Sequence, residues 1–470
     1  MNETLARSTR KPGVYMGYDT RLAINNLPAA LVKMLIVAQR TVAGSVAALV
    51  PTQVYSDADV ATYFGSGSPA HLMARSALKA NPLIDLTVIG QDDAVAGVAA
   101  TGTVTIAGPA TGPGVISLYI NSRLIRLAVA TAAVANDIAA ALKAELDDHP
   151  DLPVTAAVNA AVVTLTAKVK GTYGNGIKLV AESTAAGATA TVVAMSAGAT
   201  DPDVTAALDV VFPVRYQVIA CQYNDATNLD ALKEHLDTVS GKIEQRGAMG
   251  YYGLTGTLSA AVTLVAGRNA ARLDTAYLRG TYSHPADLAA AFASHRAGVL
   301  AVDPALSLDG DELPGIHAPG IGDRLSRTEQ ETCLHSGLTP LEVDQTGKVR
   351  IVRAVTNYLV DEAGTPDESL LDDPTVTSLD YVRDFCKSQV QQKFPKAKLS
   401  SRLPARVRTC LYDALKKLET AEIVTDVDQY KGELVVERND ADPAGWLRAR
   451  IPAPIVPGLH VLDGTIVLYL

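Results

Sequence analysis

Two glycines ahead of a helix start are the first residues in this chain whose types and spacing could do chemistry. In FGSGSPAH, Phe64 to His71, Gly65 and Gly67 would let backbone amides at a helix N-terminus hold an anion. A nucleotide loop needs more. The Walker lysine is missing, the GxGxxG spacing is missing, and the stretch follows a helical pattern where the fingerprint requires a strand. Ser68 as N-cap and Pro69 at the first helical position account for the same residues. GTYGNG, Gly171 to Gly176, has comparable glycine density but sits between two strand patterns, where positive φ serves a turn. In LDGDELPG, Asp309, Asp311 and Glu312 are oxygen donors without the further ligands a calcium loop places at fixed offsets.

Nucleophile chemistry finds no frame either. His71, His149, His235, His284, His295, His317, His335 and His460 form no HExxH, and no GxSxG elbow presents a serine. Cys221, Cys333, Cys386 and Cys410 lie far apart, without CxxC or a Cys/His ligand pair, and read as reduced thiols. No catalytic, cofactor-binding or metal site is assigned.

The elements that would position such residues follow three rhythms. Residues 1–28 read as an arm, with Val14, Met16 and Tyr18 alternating around Tyr15. Over 29–92 and again over 203–305, apolar strands alternate with capped helices, the pattern of parallel strands joined by crossovers. Between them, residues 93–202 are Thr/Val/Ile strands with Gly/Pro turns around one amphipathic helix, a β-rich α+β guest whose two ends should lie side by side. Residues 306–458 open on a Pro/Gly-rich connector and continue as a capped helix, a hairpin turning at Thr346-Gly347, two long helices and strands. The fold expected is α/β and α+β multidomain: a discontinuous α/β core, an inserted domain and a C-terminal α+β domain.

Composition narrows the partners. Lys and Arg number 41 against 50 Asp and Glu, a net charge of -9, which argues against wholesale binding of nucleic acid or anionic membrane. The longest apolar runs, such as ALVKMLIVA, are half of the roughly 20 residues a spanning helix needs, and MNETLARSTRKPGVY lacks the apolar centre of a signal peptide. Lys387 to Arg408 hold the strongest basic cluster, a solvated face or a surface for an acidic protein. The last run, Ile466 to Leu470, carries no charge and reads as a strand with nowhere polar to put either face.

The arm KPGVYMGYD, the segments VAGRNAARLDTAYLRGTYSHPADLAAAFAS and RTEQETCLHSGLTPLEVDQTGKVRIVRAVTNYL, the stretch LDYVRDFC with the KF and KL that follow it, and above all ELVVERNDADPAGWLRARIPAPIVPGLHVLDGTIVLYL resemble the contractile tail sheath proteins of Mu-like bacteriophages. The resemblance spans essentially the whole chain. It implies a structural subunit of the virion tail, assembled in the host cytoplasm, and no enzyme or cofactor. Such subunits stack as hexameric rings around a tail tube protein, join baseplate and tail terminator proteins, and contract to drive the tube through the host envelope. It further implies that terminal strands are exchanged between subunits, here Val14, Tyr15, Met16 and Tyr18 with Ile466, Val467, Leu468, Tyr469 and Leu470 of the 459–470 arm, and that the inserted domain faces outward. Lys393, Lys396, Lys398, Lys416 and Lys417 become the residues to face the tube. Two other readings stay open: a non-contractile tail or baseplate protein, and an α/β enzyme with an unrecognised nucleotide site.

Overall fold

The computed structural model describes residues 32–439 and 445–469. The arm expected over residues 1–28 lies outside them. The described chain forms two compact units, residues 32–381 with 457–469 and residues 382–456, the division falling within the helix Asp373–Lys393.

A nine-stranded sheet organises the first unit. Its central strand, Lys33–Gln39, runs parallel to Asp85–Gln91 on one side and Val218–Cys221 on the other, with Leu35 opposite Thr87 and Ile219. Met249–Leu254, Ala270–Tyr277 and Thr339–Val343 continue the parallel order outward. Sheets covered on both faces need strands apolar on both faces. Met34 through Ala38 are accordingly 0% exposed. Adjacent tyrosines show the two layers, since successive strand side chains point to opposite sides. Tyr252 packs in a cluster with Leu229, Leu232 and Leu236 of the helix Ala226–Ser240, while the Tyr251 ring meets Phe292 of the helix Pro285–Val302 edge-on at 5.6 Å.

The expected caps form. Ser68 Oγ accepts from the His71 amide with Pro69 behind it, and Ser326 and Glu329 make a reciprocal capping box on Arg327–His335. The hairpin also forms, with Leu341 opposite Ile351 and Gly347 at φ 82°.

The strands between Thr101 and Ser196 take no part in the large sheet. They build a four-stranded and a three-stranded antiparallel sheet beside the helix Ala135–Asp147. Thr101–Ala107 alternates exposed and buried along its length, the signature of a sheet with one wet face. The ends of this stretch meet: Val98 and Ala199 form a β-bridge, and Gln91 Nε2 donates to Asp203 O at 2.7 Å.

In the second unit, Cys386 of the helix Asp373–Lys393 and Val407, Cys410, Leu411, Ala414 and Leu418 of Leu403–Thr420 are buried. Arg408 donates to Leu434 O and Lys431 O, which fixes the chain entering a two-stranded hairpin, Val435–Glu437 with Arg448–Arg450. Strand pattern in the sequence extends past this point, but residues 451–469 form no regular strand, the bridge of Ile455 to Val424 excepted.

Candidate assembly surface

The motifs that first suggested chemistry are occupied by structure. At Gly67 the amide donates to His71 Nδ1 at 3.0 Å, and a Cβ there would lie 2.1 Å from Leu152 O, so the loop closes on protein. His71 Nε2 in turn faces Asp57, which Arg75 also holds. The three carboxylates of LDGDELPG diverge: Asp309 meets His460, Asp311 meets His295 at 2.9 Å, and Glu312 meets Lys348. Among the described residues no group of three or more His, Cys, Asp and Glu converges as a metal site would require.

Open α/β sheets take ligands where strand order reverses, at the carboxyl ends of the strands. Here that point lies between Lys33–Gln39 and Val218–Cys221, and two glutamines fill it. Gln222 Oε1 accepts from the Gln39 amide and its Nε2 donates to Gln39 Oε1, both at 2.6 Å. Gln39 Nε2 then reaches Asp93 and Lys170 O, so the segment following Gln91 is stitched across the crevice. The sequence pattern missed this pair, because a glutamine ending a strand carries no signal of which neighbour it will meet.

Apolar surface left uncovered is a stronger feature. Ile466, Val467, Leu468 and Tyr469 are 99, 61, 79 and 88% exposed, although the run is as apolar as a core strand. Leu470, like Val14, Tyr15, Met16 and Tyr18, lies outside the described residues. The hairpin Val435–Glu437/Arg448–Arg450 is the reverse case. Its strands pair only with each other among the described residues, and a two-stranded sheet leaves hydrogen-bonding edges outward.

The lysines divide. Lys393 faces Asp413 at 3.6 Å, and Lys416 bonds Glu419 and Asp428, so both charges are answered within their own unit. Lys396, Lys398 and Lys417 are exposed.

Comparison with known proteins decides what this surface belongs to. Residues 197–357 match the family model of the phage tail sheath protein central domain, and residues 365–469 match that of the phage tail sheath C-terminal domain. The chain is 31% identical over 456 residues to the Mu-like prophage FluMu tail sheath protein of Haemophilus influenzae, covering 92% of each. The chain belongs to the phage tail sheath family.

Two solved structures share this sheath protein's fold. A sheath tail protein from Listeria innocua aligns over 93% of this chain and 94% of its own at 13% identity, with a TM-score of 0.52. A chain of the anti-feeding prophage baseplate, 6-fold symmetrised, aligns over 98% and 100% at 13% identity, with a TM-score of 0.51. The second sheath match begins at residue 365 and runs to 469, so it takes in the open hairpin and the exposed run together. Among the described residues of this sheath protein no helix is long and apolar enough to cross a membrane.

Proposed function

We propose that the chain is the repeating subunit of a contractile tail sheath, stacked as six-membered rings around a tail tube and linked by exchanged terminal strands. The observation that carries the reading is the pairing of opposites among the described residues: an apolar run at 466–469 that is exposed at every position, and a hairpin whose strands pair only with each other. Strand addition satisfies the edge groups of a receiving sheet while alternate side chains fill its pockets. Each buried large side chain contributes about 1.5–3 kcal/mol, and each net hydrogen bond about 1 kcal/mol. Several kcal/mol per link remains after ordering.

In this reading the arms are residues 1–28 and 459–470, and residues 93–202 form an inserted domain on the outer face. Residues 29–92 and 203–305 make the discontinuous core, residues 306–458 the C-terminal sheath domain. Exposed Lys396, Lys398 and Lys417 suit an acidic tube surface better than Lys393 and Lys416, whose charges are already paired. Baseplate and terminator proteins bound the polymer, which assembles in the host cytoplasm and becomes part of the virion. Contraction exchanges one packing of rigid subunits for another of lower free energy, and no nucleotide or catalytic step enters.

Concentrated protein viewed by negative-stain electron microscopy should form hollow tubes or stacked rings. A chain ending at His460 should stay folded and fail to polymerise. Tubes of normal length from that truncation would overturn strand exchange, and single rings that never stack from the full chain would favour a baseplate or non-contractile component.

A further inference from the structure

The exposed run at 466–469 leaves the body of the protein from a fixed root. His460 has a side chain only 17% exposed, although Leu459 and Val461 beside it are each 81% exposed. Its Nδ1 lies 2.5 Å from Asp309 Oδ2, and its Nε2 lies 3.6 Å from Asp372 Oδ2. These two carboxylates differ in what else holds them. Asp372 is gripped by Arg353 through two bonds of 2.8 and 3.0 Å. The Asp309 carboxylate has no other side-chain partner among the described residues, and its Oδ1 is buried without a hydrogen bond. Removing the imidazole would therefore leave this carboxylate, 25% exposed with one oxygen buried, without a side-chain partner, an arrangement that resists separation. The backbone is shaped for the contact as well. A Cβ on Gly458 would stand 2.9 Å from the His460 ring and 3.5 Å from Ser307, so a side chain there would push the ring off its seat.

We propose that His460, seated between Asp309 and Asp372, is a clasp that fixes the root of the terminal arm, so that only the residues beyond it act as the tether to a neighbouring copy. The proposal rests on the strand-exchange reading for its purpose and on the seat itself for its existence. The clasp sets a length. From His460 to Tyr469 the chain can span about 30 Å when fully extended, and release back to Pro457 would raise the reach to about 40 Å. A subunit that rotates against its neighbour while staying linked works within the shorter figure unless the clasp opens.

The test uses the full chain, diluted below its assembly concentration, and chymotrypsin. Cleavage after Leu459 requires the root to leave its seat, whereas cleavage after Leu462 in the exposed arm does not, and the ratio of the two is the readout. Asp309→Ala leaves both cleavage sites unaltered and should raise the ratio roughly tenfold, the scale of one lost hydrogen bond to a charged group. An unchanged ratio overturns the clasp. Should Asp309→Ala lower the thermal midpoint of the body, Asp309→Leu, which keeps the volume and removes the acceptor, decides: a raised ratio at the wild-type midpoint supports the clasp, and an unchanged one overturns it. The two readings separate cleanly. Tubes formed by a chain ending at His460 would remove strand exchange and leave the ratio, measured on unassembled protein, to stand by itself.

Discussion

Two apolar runs of this protein, each carrying tyrosine, finish in opposite surroundings. Met249–Leu254, MGYYGL, is buried at every position, with Tyr251 and Tyr252 at 0% exposure. Residues 466–469, IVLY, are exposed at every position. Composition does not separate them. What separates them is supply: the first run has a parallel strand on each side and a helix on each face, and the second has neither among the described residues. An apolar pattern reports that cover is required, and only the rest of the fold reports whether the same chain provides it.

The largest effect comes from stripping cover off the buried run. Tyr251 donates to Asp373 Oδ2 at 2.7 Å, Arg296 Nε donates to Asp373 Oδ1 at 2.6 Å, and Arg296 and Asp373 are both 0% exposed. Asp373→Ala would leave a buried guanidinium uncompensated, at a cost of about 3–5 kcal/mol in denaturant unfolding. Folding and assembly should fall together. A loss under about 1 kcal/mol would mean this pair does little to hold the strand. Leu468→Asp probes the other run. Stability of the isolated subunit should stay within about ±0.5 kcal/mol, as for exposed sites generally, while sedimentation shows tube formation lost, since each link forfeits about 1.5–3 kcal/mol of burial. A destabilised subunit would mean that residues 466–469 pack at home, and the contrast between the runs would vanish.

The sequence made the buried run legible and left the exposed one ambiguous for a physical reason. Near-continuous apolar strands spaced by capped helices admit few arrangements, so parallel order, the caps at Ser68 and Ser326 and the 344–348 turn followed from local rules. Residues 466–469 satisfy the same strand rule yet stand uncovered, because pattern counts apolar residues and cannot name their partner. The seven strands between Thr101 and Ser196 were legible as β-rich, but their sorting into two sheets depends on pairings across tens of residues, such as Thr103 with Val193. Least legible were the polar seats. Gln39 with Gln222, and His460 with Asp309, join residues 183 and 151 positions apart, and nothing local marks either member.

The smallest effect at neutral pH concerns a group in the body of the protein rather than the arm, and its sign is fixed by geometry. His284 is 3% exposed and caps the helix Pro285–Val302, its Nδ1 accepting from the Ala286 amide at 3.1 Å while Nε2 donates to Tyr173 O at 3.0 Å. That is the pattern of a neutral ring, since a proton on Nδ1 would face the amide hydrogen it now accepts. Burial pushes its pKa down to about 4 from the ordinary 6.5, against the bond to Tyr173 O, which raises it. Between these values the unfolded chain takes up a proton that the folded chain refuses. Stability fully present above about pH 6.5 is therefore lost as pH falls toward 4, at a slope approaching about 1.4 kcal/mol per pH unit for this one group. His235, lowered to about 4 mainly by burial, adds a slope of the same sign, so His284→Gln should remove part of the acid sensitivity seen in denaturant midpoints and leave the rest. Residues 466–468 hold no ionisable side chain, so Leu468→Asp at neutral pH and His284→Gln in acid act on separate regions. A slope unchanged by His284→Gln would place the proton elsewhere. A slope lost together with tube formation at pH 7 would show that body and arm are coupled, which the contrast between the two runs also forbids.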